Sequence, residues 1–266
     1  MSSEKSLAIV IRLVDFSETS CVTTLFTEDF GKISALAKGA RRLKGPFESA
    51  LDLLAICRIV FIHKLSDALD LLTEAKLERR FRAASRDLSR LYAGYYVAEL
   101  LNELTDENDP HPNLFHTANS ALSFLDSDKD VATTVLHFEL QTLHVLGHLP
   151  SLTHCVVCGS QLDVKKRVAF GQQDGGVLCQ NCKPGRRQVI SMSRGALETM
   201  RTLVAPDKSH PFVEIAPKSY GGELRGIMNQ YITNLLGRRP RMYDFLSALA
   251  MHTPSTENLP TGHSSR

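Results

Sequence analysis

Apolar and polar positions alternate through the first third of the chain, and then the period changes. Residues 7–14 (LAIVIRLV) and 21–27 (CVTTLFT) are rich in β-branched side chains and run into polar turn residues, the pattern of short strands. The string EDFGK from Glu28 supplies a glycine-containing turn into 33–37 (ISALA), which predicts a hairpin. Residues 53–63 and 69–75 add two further strands. Five short strands in this span suit a small Greek-key barrel of the OB type, and the pattern equally permits an SH3-like barrel.

From Ser85 onward the apolar period is helical. Leu88, Leu91, Tyr95, Ala98 and Leu101 form one stripe that ends before the polar string DENDPHP. A short helix is expected over 114–125. Residues 131–146 are apolar nearly all round and predict a buried helix, stopped by Gly147 and Pro150. Ser193 can cap a helix carrying Leu197, Met200 and Val204, and Leu224, Ile227, Met228, Tyr231 and Leu235 stripe another that Gly237 closes. Residues 251–266 lack periodicity and read as a disordered tail. The predicted class is α+β, an N-terminal OB-fold β-barrel followed by an α-helical bundle with an inserted cysteine module. The expected divisions are 1–80 for the barrel, 81–150 and 191–250 for the bundle, and 151–190 for the insert.

Composition narrows the function classes. With 43% apolar and 23% charged residues over 266 positions, the chain is an ordinary globular protein rather than a disordered one. The longest nearly apolar run, LLAIC from Leu53, is far short of the roughly 18 residues a bilayer span requires. The N-terminus lacks the pattern of a secretory signal, so a cytoplasmic location is expected. Net charge is only +2, but it is segregated. Residues 81–130 carry four basic and nine acidic side chains (net −5), whereas 151–201 carry eight against three (net +5) and 38–64 six against two (net +4). Such segregation suits one face to a polyanion and another to a different partner.

Four of the six cysteines fall in two pairs, Cys155-Val-Val-Cys158 and Cys179-Gln-Asn-Cys182. Each CxxC turn can place two thiolates on one ion, and two pairs complete a tetrahedron of soft ligands suited to Zn²⁺. Gly159, Gly175 and Gly176 permit the tight turns such knuckles need. Four protein ligands leave no position open for substrate, so one structural zinc is expected. The other readings of these residues are two redox motifs or unrelated thiols. The insert that carries them reads as a segment shaped by something other than a hydrophobic core.

The second constellation is basic. Residues 37–45 read AKGARRLKG, placing Lys38, Arg41, Arg42 and Lys44 in a glycine-flanked loop directly after a strand. A flexible cationic loop on a small barrel suits a nucleic-acid backbone, with Phe47 a possible stacking group. The same run would also serve as a plain solvated surface. Arg79, Arg82, Arg86 and Arg90 recur at helical spacing beside Arg80, and they read as a solvent-facing stripe paired with acids such as Asp87. Lys165, Lys166, Arg167, Lys183, Arg186 and Arg187 make the insert basic.

Other arrangements look like chemistry without supplying it. His137-Phe-Glu139 upstream of the first CxxC has the layout of a zinc deaminase. It lies in an apolar helical pattern, however, and that reading would orphan Cys179 and Cys182; a core histidine fits better. His144 and His148 lie one helical turn apart with no third ligand evident, and they read as structural. Asp29-Phe-Gly31 reads as a turn, and no P-loop or dinucleotide fingerprint is present. No enzyme activity is expected.

Taken in order, AIVIRLVDF, FTEDFGKISALAKGARRLKG, FELQTLHVLGHLPSLTHCVVCG and GGVLCQNC resemble the bacterial RecO family of DNA repair proteins, over about residues 6–240. The resemblance implies an OB barrel, a helical bundle and, in many members, a four-cysteine zinc module. It implies a non-enzymatic recombination mediator that binds single- and double-stranded DNA and anneals strands. With RecR it would help load RecA onto strands coated by single-strand-binding protein, in the cytoplasm and at the nucleoid. Carried over, the basic loop falls on Lys38, Arg41, Arg42 and Lys44, with Arg12 of the first strand as companion, and the zinc ligands on Cys155, Cys158, Cys179 and Cys182. The family also receives the acidic C-terminal tail of single-strand-binding protein on the helical domain. No motif fixes those residues here, and the acidic stretch 99–109 argues against that part of the helices. Among Phe16, Phe26, Phe30, Phe47 and Phe61, the barrel's stacking candidates, some must be core, so backbone electrostatics should dominate. The competing readings are a zinc-ribbon adaptor without a nucleic-acid role and a zinc-dependent nucleobase-modifying enzyme.

Overall fold

A computed structural model describes residues 3–42, 47, 50–64, 69–85, 87–162, 167–204 and 221–246. Lys44, Arg86, Lys165, Lys166 and the tail 251–266 lie outside the described residues.

Five strands close the N-terminal barrel: β1 (Ser3–Asp15), β2 (Cys21–Thr27), β3 (Gly31–Ala37), β4 (Ile56–Ile62) and β5 (Asp70–Arg79). β1 pairs antiparallel with both β2 and β4, and β5 with β4, while β3 meets β5 in parallel through Ala35, Leu36 and Ala37. The resulting order, β1-β2-β3-β5-β4, is that of an OB barrel and excludes the SH3-like alternative. Alternation explains it. Ala8, Val10, Leu25, Ile33, Ala35, Ile59, Phe61 and Leu72 fill the interior. The intervening Ile9, Phe26 and Ile56 face outward into a second core shared with the helices.

That second core is built by α1 (Leu88–Leu104), α2 (Pro112–Leu125), α3 (Val131–Val145), α4 (Arg194–Val204) and α5 (Gly221–Leu236). α3 is the hub, packing on the other four. Asp87 and Asp130 cap α1 and α3 through the amides of Ser89 and Thr133, and the Ser193 hydroxyl accepts from the Ala196 amide as the capping pattern predicts. Gly147 and Gly237 end their helical segments with positive φ, 75° and 68°.

The α1 stripe is not the predicted one. Leu88 is 56% exposed, and Leu91 and Tyr95 are only half-buried. Ala93, Gly94, Tyr96, Val97, Leu100 and Leu101 are the buried positions, with Ala98 the other predicted member that holds. The cause is that α1 is covered on two sides, by the barrel and by the helices. At Gly94 a Cβ would stand 2.6 Å from the Leu54 side chain, so only glycine admits this approach.

The acidic turn after α1 lies against β3. Lys32 donates to the carbonyls of Asn102 and Thr105 at 2.6 and 2.5 Å, satisfying the C-terminal end of α1. Ser34 donates to Glu107 at 2.7 Å, and the Asn108 amide to the Lys32 carbonyl at 2.8 Å. The predicted Arg79–Arg90 stripe does not form, because Arg79 and Arg90 sit on different elements. Arg79 ends β5 and binds Asn119 and Asp126 of the α2 region. Arg90 lies on α1, donates to the carbonyls of Leu125 and Ser127, and pairs with Asp87. These cations fasten the barrel and α1 to the end of α2.

Between α3 and α4 the insert forms a three-stranded antiparallel sheet, β6 (Arg167–Gly171), β7 (Gly176–Leu178) and β8 (Val189–Ser193), in the order β7-β6-β8. It is not independent of apolar packing. Val168, Phe170, Val177 and Met192 belong to the helical core, while Ala169 and Leu178 on the other face gather with Cys155.

Candidate metal centre and nucleic-acid interface

The two CxxC turns converge over the outer face of this sheet. In the first, the Gly159 amide donates to the Cys155 carbonyl at 2.8 Å, with Gly159 at φ 70° turning the chain back. In the second, the amides of Cys182 and Lys183 both turn onto the Cys179 carbonyl. A Cβ on Gly176 would strike the Ser151 backbone at 2.7 Å, so this glycine allows the two halves of the module to touch. The four Sγ atoms of Cys155, Cys158, Cys179 and Cys182 lie within 4.8 Å of one another. Cys158 and Cys179 are 3.8 Å apart, far beyond a disulfide bond and equal to the edge of a tetrahedron with metal–sulfur bonds of about 2.3 Å. These four cysteines can hold a metal ion.

Their electrostatics agree. Burial opposes ionisation of Cys155, but the amides of Cys179, Cys158 and Val157 bring it down to about 6. Hydrogen bonding with Cys179 and Cys158 pushes Cys182 up to about 12. Four such sulfurs cannot all ionise side by side without a cation among them. His137 and Glu139 stay outside the cluster. Glu139 is fully buried in α3, where Tyr96 and Arg225 donate to it, so the deaminase layout is not assembled. His144 and His148 are exposed rather than structural core.

The basic loop lies at one end of the barrel. Lys38, Arg41 and Arg42 are exposed there, and Lys44 falls outside the described residues. The Arg41 amide donates to the Thr19 carbonyl at 3.1 Å and the Gly39 amide to Ser20 Oγ at 3.3 Å, so the loop is fastened to the β1–β2 turn. Arg41 also pairs with Asp15 at 2.9 Å. Arg12 is exposed on β1, in register with Thr24 of β2. Phe47 is not available for stacking, because it is buried in the barrel interior. In the insert, Arg167 and Arg186 are engaged by Glu223 and Asp174, while Lys183 and Arg187 are exposed.

Both halves of the chain match known families. Residues 1–81 match the family described as "Recombination protein O N terminal", and residues 85–243 match "Recombination protein O C terminal". The chain belongs to the RecO family. Among its relatives, the DNA repair protein RecO of Rhodopirellula baltica is 46% identical over 264 residues, covering 90% of this chain and 97% of the relative. The DNA repair proteins RecO of Myxococcus xanthus and Symbiobacterium thermophilum are 30% and 31% identical. These alignments cover 92% and 91% of this chain, and 97% and 95% of those relatives. The RecO assignment agrees with the order of barrel, helices and four-cysteine cluster described above. No helix among the described residues is long and apolar enough to cross a membrane.

Sequence reasoning missed two engaged cations, the buried Lys32 and the half-buried Arg225. A signal for Arg225 existed: it interrupts the apolar stripe of α5, as Glu139 interrupts the apolar pattern of α3.

Proposed function

We propose that the chain is a non-enzymatic DNA-binding recombination mediator. It binds single- and double-stranded DNA, anneals complementary strands, and with RecR helps load RecA onto strands coated by single-strand-binding protein, whose acidic tail meets the helical domain. The observation that carries this reading is the exposed cationic set Arg12, Lys38, Arg41 and Arg42 at one end of a closed OB barrel, in a chain of the RecO family. Lys44 extends the set in sequence. Cations on a loop and strand end meet phosphates without reading bases, so binding has little sequence preference. Neutralising both backbones lets two strands approach one another, which annealing requires. The metal is zinc, held by Cys155, Cys158, Cys179 and Cys182, and with four protein ligands it supplies structure rather than catalysis.

The test is a salt series of single-strand binding with Arg41→Ala and Arg42→Ala combined. Each single-strand phosphate contact contributes about 0.7 to the log–log salt slope, so the double variant should bind more weakly, flatten the slope by about 1.4 and anneal poorly. Thermal stability should barely change, since exposed charges contribute little to folding. Wild-type binding and annealing in the double variant would remove this loop from the DNA site. An adaptor without a nucleic-acid role draws support from one feature, the exposed Val156 and Val157 on the first knuckle. It predicts no DNA binding by the wild-type protein.

A further inference from the structure

The β1–β2 turn carries the one barrel aromatic that faces solvent among the described residues. Phe26, Phe47 and Phe61 are buried, and Phe30 is half-buried edge-on against Phe61, with ring centroids 5.3 Å apart. Phe16 is 65% exposed. Resting on the DNA-binding reading above, we propose that Phe16 is a stacking platform for an unpaired base. It makes this end of the barrel prefer single strands to duplex.

The strand is built to present it. Before the middle of β1, Ala8 and Val10 point into the barrel and Ile9 and Ile11 toward the helices. The register with β2 shifts between Val10 and Arg12, so Ile11 is a bulged extra residue. Beyond it the inward position is Leu13, while Arg12 and Val14 are exposed, Val14 at 44%. Without the bulge, the alternation would turn Arg12 and Val14 into the barrel. Phe16 follows at the next alternate position. Its amide donates to the Ser20 carbonyl at 3.0 Å, and Ser17 Oγ accepts from the Ser20 amide at 3.2 Å, so the turn that carries the ring is organised before any ligand arrives. A cation, an aliphatic side chain and an aromatic ring thus follow one another along β1 and into the turn.

Charge decides what the ring receives. Asp15 beside it is occupied by Arg41, and Glu18 in the same turn is exposed. Carboxylates repel a phosphate from the ring itself but not a neutral base. The flanking phosphates are drawn instead to Arg12 and to the loop fastened to the turn. Every base has a π-face, so such a platform is tolerant of sequence, and β1–β2 turns of OB barrels are recurrent oligonucleotide contacts. In a duplex the base faces are already stacked, and the ring gains nothing.

The chain contains no tryptophan, so Phe16→Trp installs a single fluorescent reporter at the site. In the full-length protein its emission should be quenched by an unlabelled single-stranded oligonucleotide and unaffected by a duplex of the same length. Phe16→Ala should weaken single-strand binding by about five-fold or more, the lower end of base–aromatic stacking, and leave duplex binding and the salt slope unchanged. Thermal unfolding of Phe16→Ala checks that the fold is intact. Single-strand and duplex binding falling together, or neither changing while Arg41→Ala with Arg42→Ala still weakens both, would overturn the stacking role alone. A wild-type protein that binds neither nucleic acid would overturn the DNA-binding reading and this inference with it.

Discussion

Arg225 donates to the carboxylate of Glu139 at a point solvent does not reach. The same oxygen accepts from the Tyr96 hydroxyl at 2.6 Å, and Arg225 Nε donates to the Tyr243 hydroxyl at 2.6 Å, tying α1, α3, α5 and the segment after α5 into one network. Burial works against the Arg225 charge, yet Glu139 more than restores it, and burial holds the Tyr96 and Tyr243 phenols protonated far above their usual range. Two charges in the helical core are costly unless both remain.

Removing one partner should therefore be severe. Glu139→Ala is expected to cost about 3–5 kcal/mol by leaving the guanidinium uncompensated. Glu139→Gln, which keeps an acceptor for Tyr96, should cost less. Urea unfolding of the two variants checks the order; a loss for Glu139→Ala no larger than that of a surface substitution would mean the pair is not a structural element.

Two residues before Glu139 on α3, His137 supplies a pH signature. Burial lowers its imidazole from 6.5 to about 4, so the folded protein keeps the ring neutral where the unfolded chain is protonated. The stability that goes with neutrality is complete above pH 6.5 and is lost as pH falls toward about 4, by at most roughly 3 kcal/mol. Urea midpoints measured at pH 7 and pH 5 should fall less in His137→Leu than in the wild type. Equal falls would place the acid sensitivity elsewhere.

These buried groups mark where the sequence is opaque. Alternation revealed the five strands because each has one face in the barrel, and β1, β2 and β4 are also rich in β-branched residues. The end of β5 was hidden, since Leu77 is a lone apolar residue between charges and its pairing with β4 is a tertiary fact. The α1 face was misread because a helix covered on two sides has no single stripe. Phe47 looked available because glycine, proline and acids surround it in sequence, yet it plugs the barrel. The cysteine cluster was legible since CxxC spacing fixes which thiols can meet. The small sheet beneath it was not, because its strands are short and divide their faces between two cores.

That division of faces bears on metal removal. One zinc per chain is expected, and replacing Cys179 and Cys182 together by Ala should abolish it. On chelation, amide exchange should rise first at residues 155–160 and 179–183, the turns that carry the four cysteines. Phe170 is anchored in the helical core and should stay more protected, and the barrel strands should not respond. Exchange rising equally in β1–β5 would show that the metal supports the whole molecule rather than its own module.

Asp15 offers the last test, at the barrel end itself. Its carboxylate takes the Arg41 guanidinium at 2.9 Å in an exposed pair, occupying with an internal anion the group proposed to meet phosphate. In the proposed DNA-binding role, a phosphate would have to displace Asp15 or share Arg41 with it. Such exposed pairs contribute about 0.2–1 kcal/mol, so Asp15→Asn should tighten single-strand binding by roughly 1.5- to 5-fold at low salt, and by less as salt screens the charges. The gain should depend on Arg41. In an Arg41→Ala background the same substitution has no guanidinium to release, and only the smaller effect of removing a nearby negative charge should remain. A double-mutant cycle run by fluorescence anisotropy at two salt concentrations separates these contributions. Equal gains with and without Arg41 would make Asp15 a bystander charge, and a loss of affinity in Asp15→Asn would show that the pair holds Arg41 in its binding geometry instead of restraining it.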